Sequence, residues 1–255
     1  MMAEKTMDTK MRLDELLVRR GLFPSRSRAR DAVERATVKV AGLVARKPGA
    51  IVAEGARIEV DDPASAYVSR AALKLVAGLE HFGFDPAGAV ALDIGASTGG
   101  FTQVLLQRGV RTVFAIDVGH GQIDASLRAD PRVKIREGLN ARGLTADDID
   151  GEAPDFLVCD VSFISLKLAL PPALSLAAPG AKGLFLVKPQ FEAGREAIGK
   201  GGILRNPEDG PRVAGTIAAW LDGVPGWRVL GLYDSPIAGG DGNRELLLGA
   251  IKDRP

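Results

Sequence analysis

Four charged residues, far apart in the chain, stand where a parallel sheet would gather them. Asp160 and Lys188 each stand at the end of an apolar run that predicts a strand. Glu245 stands at the start of the last such run, and Lys74 lies on an amphipathic segment that precedes the first one. Ligands of such sheets bind beyond the carboxyl ends of the strands. Two lysines and two carboxylates at that edge could orient a hydroxyl group, remove its proton and stabilise the oxyanion. The sequence therefore predicts these four residues as a catalytic group.

A glycine-rich turn between a predicted strand and a predicted helix indicates a ligand site. The turn contains Asp93, Gly95, Ala96, Ser97, Thr98, Gly99, Gly100 and Phe101. Its glycines allow close approach of the backbone to a ligand, and the start of the helix offers free N–H groups to an anion. The spacing is Gly-x-x-x-Gly-Gly, whereas dinucleotide sites carry Gly-x-Gly-x-x-Gly. A smaller anion, such as the carboxylate of a methionine moiety, would fit.

An acid follows the next strand, at the position where a ribose-binding carboxylate is expected. This residue is Asp117, at the end of the apolar run 112–116. Together with the glycine turn and Asp160, it predicts a site for S-adenosyl-L-methionine.

Methyl transfer to a hydroxyl suits the four charged residues, because the enzyme must mainly align the hydroxyl and remove its proton. A lysine can act as the base only if its pKa falls, which burial and a neighbouring ammonium favour and carboxylates oppose. We interpret Lys188 as base or oxyanion stabiliser and Lys74 as a second cation. Asp160 and Glu245 are interpreted as orienting groups, and the choice between the two lysines as proton acceptor stays open.

Other methyl acceptors fit the sequence less well. Enzymes that methylate amino groups usually carry Asn/Asp-Pro-Pro-aromatic after the fourth strand, whereas this chain has Asp160-Val161-Ser162-Phe163. Methylation of a pyrimidine carbon needs a cysteine nucleophile. Strand alternation turns Cys159 away from Asp160, so we expect it in the core. Phe163 and Phe191 are candidates for packing on a nucleobase or in the core.

The elements that must position these residues follow an α/β pattern. From residue 67 onward, strand-like runs at 89–94, 112–117, 132–136, 155–160 and 183–188 alternate with helical stretches. This pattern predicts a Rossmann-like, doubly wound sheet. Two final runs, 228–233 and 245–251, flank a glycine-rich connection, so the last strand should be antiparallel. We predict a disordered tail at 1–10, a small α+β domain at 11–60, a linker at 61–66 and the α/β domain at 67–255.

The predicted N-terminal domain is strongly basic. Between residues 12 and 47, ten lysines and arginines face four acids. Such asymmetry is typical of a nucleic-acid-binding module, which would hold RNA through its phosphates. The predicted RNA-binding residues are Arg12, Arg19, Arg20, Arg26, Arg28, Arg30 and Arg35.

Composition argues against several other classes of protein. The most apolar region, 166–187, is interrupted by prolines, glycines and lysines, so no membrane span is expected. The N-terminus lacks the apolar core of a secretory signal, and one cysteine fits a reducing compartment. We therefore expect a cytoplasmic protein. Two histidines and one cysteine make a structural zinc site unexpected, so no metal is predicted. The oligomeric state stays open.

The chain resembles the TlyA (hemolysin A) family of rRNA methyltransferases along nearly its whole length. Residues 12–42 resemble a small RNA-binding module first described in a ribosomal small-subunit protein, and the α/β part resembles the FtsJ/RrmJ ribose methyltransferases. The segments that carry the likeness are 67–75, 93–101, 159–166, 187–192, 199–202 and 242–245.

The resemblance implies 2′-O-methylation of cytidine ribose in ribosomal RNA, with S-adenosyl-L-methionine as donor and ribosomal subunits as partners. The short N-terminal tail and the early end after the last strand favour large-subunit rRNA, with the small subunit as alternative. A second hypothesis is a non-catalytic RNA-binding or ribosome-assembly factor with this fold. The family's older name also suggests a pore-forming hemolysin, for which the sequence offers little support.

Overall fold

The computed structural model describes residues 9–240 and 242–253, and the chain divides into two compact units at the junction of Ala66 and Tyr67. Most of the predicted tail, residues 1–8, lies outside the described residues. The last two tail residues are ordered, contrary to the prediction. Lys10 opens the first strand, and the carbonyl of Thr9 accepts a hydrogen bond from the Glu54 amide at 2.7 Å.

The N-terminal unit is the small α+β domain that the sequence predicts. Its elements are β1 (Lys10–Arg12), α1 (Leu13–Arg19), α2 (Arg26–Glu34), β2 (Val38–Val40), β3 (Leu43–Val44), β4 (Ile51–Ala53) and β5 (Ile58–Val60). Strand β1 pairs with β4, and a second sheet has the order β3-β2-β5. Ser25 caps α2 by accepting a hydrogen bond from the Arg28 amide, as its position before the helix predicts. The two helices bury Leu13, Leu17 and Val33 against Val38.

The predicted linker is part of this domain, so that interpretation is wrong. Asp62 is buried, and its carboxylate receives two hydrogen bonds from Arg35, at 2.6 and 3.1 Å. The Ala64 amide donates to the same carboxylate at 3.0 Å and begins a short 3-10 turn, Pro63–Ala66. Proline and alanine content made residues 61–66 resemble a linker, but a buried ion pair fixes them on α2.

Replacing Asp62 by Ala should destabilise the N-terminal unit. The change leaves Arg35 half-buried without this carboxylate and removes three hydrogen bonds, so a loss of about 1–3 kcal/mol is expected. Hydrogen exchange of the α2 amides in the full chain measures the change. Asp61→Ala, at the exposed neighbouring residue, is the matched control. Equal protection of α2 in both variants would contradict a structural role for Asp62.

The C-terminal unit carries the large sheet. Its strands are β6 (Val90–Ile94), β7 (Thr112–Asp117), β8 (Val133–Glu137), β9 (Phe156–Cys159), β10 (Lys182–Val187), β11 (Arg228–Asp234) and β12 (Leu246–Ile251). Its helices are α3 (Ala72–Phe82), α4 (Gly100–Gln107), α5 (Ala125–Arg128), α6 (Leu166–Ala169), α7 (Pro171–Leu176), α8 (Pro189–Glu192) and α9 (Asp209–Asp222).

The strand order, β11-β12-β10-β9-β6-β7-β8, is that of a doubly wound sheet with a reversed strand near one edge. Strands β6 to β10 pair in parallel, and β12 pairs antiparallel with both β10 and β11. The Rossmann-like class and the antiparallel C-terminal strand are thus confirmed. Apolar side chains cover both faces, with one core around Leu92, Phe185 and Trp227 and another around Leu75, Val104 and Val158.

Strand order also fixes where a ligand can bind. After β6 the chain continues to β7 on one side, and β9 lies on the other, so the loops after β6 and β9 diverge. A crevice opens at such a switch point, at the carboxyl ends of the strands. Within the described ranges, no helix has both the length and the apolar character that a membrane crossing requires.

Candidate active site

The two lysines and two acids form two ion pairs at the carboxyl edge of the sheet. Lys74, on α3, places its Nζ 2.5 Å from Oε2 of Glu245, and both side chains are more than nine-tenths buried. Lys188 places its Nζ 2.6 Å from Oδ1 of Asp160 and donates a hydrogen bond to Ser162 Oγ at 2.9 Å. The structure therefore pairs each predicted cation with one predicted carboxylate.

Strand register brings the two pairs side by side. In the antiparallel ladder of β10 and β12, Val187 faces Leu246. Lys188 follows Val187 and Glu245 precedes Leu246, so the next position of the ladder places these two residues next to each other. Asp160 follows β9, the neighbouring parallel strand, at the same edge. The reversal of β12 thus brings an acid from the end of the chain to the site.

The glycine turn after β6 lies against the loop that carries Asp160. Gly95 has φ +84°, and a Cβ there would lie 2.9 Å from the Asp160 carbonyl oxygen. Gly99 has φ +95° and forms the N-cap of α4, whose first N–H groups face the turn. Because any side chain at Gly95 would displace the backbone of Asp160, this glycine is required by the fold itself, before any ligand is considered.

Asp93 lies beneath this turn and is fully buried. Its Oδ2 accepts a hydrogen bond from Thr102 Oγ1 at 2.6 Å, and its Oδ1 has no partner among the described residues. Burial raises the pKa of Asp93 to about 7, the Thr102 hydrogen bond opposes that shift, and the charges of Asp160 and Asp117 add to it. Asp93 does not line either cavity, but Ile94, the next residue, lines the larger one, and an unpartnered buried acceptor suits a cationic group.

The buried Asp93 gives folding a signed pH dependence. Its pKa rises from 3.8 to about 7 on folding, so the folded chain keeps a proton that the unfolded chain loses between these values. The contribution to the free energy of unfolding is therefore full below about pH 4. It falls as pH rises through this window, by at most about 1.4 kcal/mol per pH unit.

Asp93→Asn, which has no proton to lose, should lack this component. Urea unfolding at pH 5, 6 and 7 measures the difference, with Asp85→Asn, at an exposed position, as control. A pH slope in Asp93→Asn equal to that of the unmodified protein would contradict the raised pKa.

Asp117 and the loop after β8 border a cavity of about 830 Å³. Asp117 Oδ2 accepts from the Ser97 amide at 2.8 Å and Oδ1 from the Gly119 amide at 2.7 Å, which fixes the carboxylate at the cavity. A carboxylate has about four acceptor positions, so both oxygens can still accept ligand hydroxyls. The volume is in the range of small-molecule cofactor sites.

Several lining residues were missed by the sequence reasoning. They are Val118, Gln122, Leu139, Asn140, Ala141, Arg142, Val161 and Ile164. The segment 139–142 directly follows β8, and the carboxyl ends of all parallel strands share one edge. That position was the available signal, but these residues carry no motif that marks them.

A second cavity, of about 180 Å³, joins the glycine turn to the Lys188–Asp160 pair. Lys188 and Ser69 line it, together with Thr98 and Phe101 from the turn. Gly95, Ser97, Asp160 and Ser162 line both cavities. A ligand in the larger cavity would therefore reach Lys188 through the space between the turn and the loop after β9.

The two aromatic candidates lie at the larger cavity, whereas the candidate thiol lies in the core. Phe163 is 89% exposed at a positive φ of 66° and lies with its ring centroid 5.0 Å from that of Phe191. Both rings line the larger cavity, so Phe163 does not pack in the core. Cys159 is fully buried, and burial raises the pKa of its thiol, which leaves it no role as a nucleophile.

Most of the predicted RNA-binding arginines are engaged within the N-terminal unit. Arg12 and Arg26 both pair with the buried Asp14, at 3.0 and 3.1 Å. Arg35 is held by Asp62, and only 14% of its side chain is exposed.

Three of the other four arginines also bind groups of the N-terminal unit. Arg19 pairs with Glu54, Arg20 donates to the carbonyl of Ala56, and Arg28 donates to that of Ala64. Arg30 is exposed, with no ion pair to any residue that the structure describes. The predicted role of these arginines in RNA binding stays a prediction.

Family models match both units of the chain. Residues 67–252 match the FtsJ-like methyltransferase family, and residues 11–58 match the S4 domain. Fold and site therefore define an FtsJ-like methyltransferase that carries an N-terminal S4 domain.

Similarity to individual proteins identifies a narrower family within the FtsJ-like methyltransferases. The 16S/23S rRNA (cytidine-2′-O)-methyltransferase TlyA of Mycobacterium tuberculosis is 44% identical over 95% of this chain and 90% of its own length. The 23S rRNA (cytidine-2′-O)-methyltransferase TlyA of Campylobacter jejuni is 34% identical over 77% of this chain and 75% of its own. A solved structure from Streptococcus thermophilus, which carries the name hemolysin, has a TM-score of 0.74 at 40% identity, covering 97% and 90% of the two chains. The chain belongs to the TlyA family of rRNA methyltransferases.

Proposed function

We propose that this protein transfers a methyl group from S-adenosyl-L-methionine to the 2′-hydroxyl of a cytidine ribose in ribosomal RNA. The observation that carries the proposal is the Lys188–Asp160 pair, which lines the small cavity beside the glycine turn. Membership of the TlyA family, with relatives named for cytidine-2′-O-methylation, supports the same reaction.

The donor fits the larger cavity and the turn. Asp117 holds the ribose hydroxyls, the N–H groups at the start of α4 hold the carboxylate of the methionine end, and Asp93 faces its ammonium group. When bound, S-adenosyl-L-methionine supplies an activated methyl group on sulfur. The unpartnered Oδ1 of Asp93 supports this assignment, because a cation there would satisfy an acceptor that is otherwise buried alone.

Lys188 is the residue placed to act on the acceptor hydroxyl. Its Nζ binds the ribose oxygen, and Asp160 and Ser162 fix the direction of the side chain. The buried Lys74–Glu245 pair supplies a second ammonium beside it, with Glu245 as its counter-ion. Alignment and handling of one proton account for the chemistry that this chain must supply.

Phe163 is placed to hold the base of the acceptor nucleotide. An aromatic ring that is 89% exposed at a cavity rim offers a face for stacking, which is worth about 1–3 kcal/mol per base. Phe191 supports that ring from the side of α8. The acceptor would thus be held by its base at Phe163 and by its sugar at Lys188.

Ribosomal RNA and its subunits are the proposed partners, and the cytoplasm is the proposed compartment. Large-subunit rRNA is favoured, because both relatives include 23S rRNA in their names. A non-catalytic assembly factor has less support. Such a protein would not need the two charged pairs to be complete, and both are.

Lys188→Ala should abolish methyl transfer while the donor still binds. Removing a proton-transfer group typically lowers the rate about a hundred- to ten-thousand-fold. Transfer of labelled methyl groups to rRNA measures the rate, and calorimetry measures donor affinity. Lys182→Ala, at the opposite end of the same strand, is the matched control and should keep near-normal activity.

Asp117→Ala should show the opposite pattern to Lys188→Ala. Its donor affinity should fall, whereas the transfer step with bound donor should be less affected. Gly95 is unsuited to this purpose, because its Cβ would displace Asp160 whether or not a donor binds. Near-normal turnover in Lys188→Ala would remove that lysine from the mechanism. Absence of methyl transfer by the unmodified protein, on subunits and on free rRNA, would favour the assembly-factor hypothesis.

RNA docking should depend on the basic side chains that are not held by acids of their own domain. Arg30, Arg46 and Lys47 are exposed and form no ion pair among the described residues. Each phosphate contact that is lost should lower the slope of log K against log salt by about one unit. The triple Ala variant should therefore bind rRNA more weakly, with a flatter salt dependence and unchanged donor affinity.

Arg26→Ala is the informative comparison, since this arginine pairs with Asp14 at 3.1 Å and Glu15 at 3.0 Å. Its loss should affect stability of the N-terminal unit more than the salt slope. Normal rRNA affinity of the triple variant at several salt concentrations would show that these three side chains are not the docking surface.

A further inference from the structure

We propose that Asn243 is a positioning residue for methyl transfer, which it serves by holding the turn that confines the Glu245 carboxylate on Lys74. The inference rests on the proposed function and concerns a residue that contacts neither charged pair directly. It is carried by the hydrogen bonds of the Asn243 side chain, its burial, and the close approach of Gly239 to Glu245.

Asn243 is buried, with 4% of its surface exposed, and both the oxygen and the nitrogen of its side-chain amide form a hydrogen bond. Its Oδ1 accepts a hydrogen bond from the Leu204 amide at 3.2 Å, and its Nδ2 donates to the Gly202 carbonyl at 3.0 Å. Both partners belong to one glycine-rich segment. An asparagine suits this position because it offers an acceptor and a donor on one short side chain.

The segment that Asn243 holds is a small hairpin, residues 197–205, which we call the glycine hairpin. Ile198 and Leu204 form an antiparallel bridge across it. The Gly199 amide donates to the Ile203 carbonyl at 2.7 Å, and the Arg205 amide donates to the Ala197 carbonyl at 2.9 Å. These bonds close the hairpin on itself, so it can act as a fixed support for the amide.

The main chain of Asn243 holds the other side of the turn. Its carbonyl accepts a hydrogen bond from the Gly239 amide at 2.9 Å. A Cβ on Gly239 would lie 2.5 Å from Glu245 Oε1, so this glycine approaches the carboxylate at van der Waals distance. Oε1 thus faces the backbone of Gly239, whereas Oε2 faces Lys74.

The carboxylate of Glu245 is therefore confined between a lysine and a backbone segment, and Asn243 fixes that segment. A shift of the turn would let Glu245 rotate away from Lys74 and would change the charge next to Lys188. Misplacement by about 1 Å in such a site can cost about a hundredfold in rate. Asn243 lines neither cavity and is 4% exposed, so the affinities for donor and RNA should be little affected.

The test is a double-mutant cycle between Asn243→Ala and Glu245→Gln, measured by methyl transfer to rRNA. Asn243→Ala alone should lower kcat about ten- to a hundredfold, with KM for donor and RNA within about threefold. If Asn243 acts through Glu245, adding Asn243→Ala to Glu245→Gln should cost less than about twofold more. Asn206→Ala, an exposed asparagine beyond the hairpin, should leave kcat unchanged.

Gly239→Ala keeps the proposal testable if Asn243→Ala does not fold. It leaves every Asn243 side-chain contact in place but brings a methyl group against Glu245 Oε1, and Gly239 does not have a positive φ. It should reproduce the loss in kcat and the lack of further effect in Glu245→Gln.

Multiplicative losses in the cycle would overturn the proposal, and so would a raised KM for RNA at unchanged kcat, which would make the glycine hairpin an RNA contact. The proposed function fails separately, when the unmodified protein transfers no methyl group.

Discussion

The antiparallel ladder between β10 and β12 is the constraint on which the site depends. It sets Val187 opposite Leu246, so Lys188 and Glu245 emerge side by side although 57 positions apart in number. A parallel strand in the same place would put Glu245 at the opposite edge. Chain reversal therefore lets the end of the sequence complete a site that β6 and β9 begin.

Charge burial explains why the site has the form of pairs. A lysine or a carboxylate buried alone would shift its pKa and lose its charge, whereas a paired one keeps it. Lys74 and Glu245 are both more than nine-tenths buried, and each is the other's counter-ion. Asp93 shows the alternative, since it has Thr102 but no cation, and its pKa rises to about 7. The carboxyl edge of the sheet therefore holds two ion pairs, and a buried acid without a cation lies on the neighbouring strand.

The sequence was sufficient for those features that follow from strand order. Apolar runs located the strands, the edge rule gathered the four charged residues, and the glycine turn marked a loop that lines both cavities. The sequence could not predict which charges pair, because Asp62 contacts Arg35, and Asp14 contacts Arg26, only after the chain folds. For the same reason the sequence could not show which arginines of the basic run are paired with acids of their own domain. Residues 139–142 and Asn243 carried no pattern that distinguishes a lining or supporting residue from a loop residue.

The attachment of Asp62 to α2 has a consequence for dissecting the protein. A fragment that ends at residue 60 would leave Arg35 without the carboxylate of Asp62. It would also lack Ala64, which is 2% exposed in the full chain, and so would expose the surface that Ala64 covers. Division of the chain between Ala66 and Tyr67 instead keeps Asp62 with Arg35 in the N-terminal unit. Separate expression of the two halves, or their exchange between related proteins, should therefore use that peptide bond as the point of division.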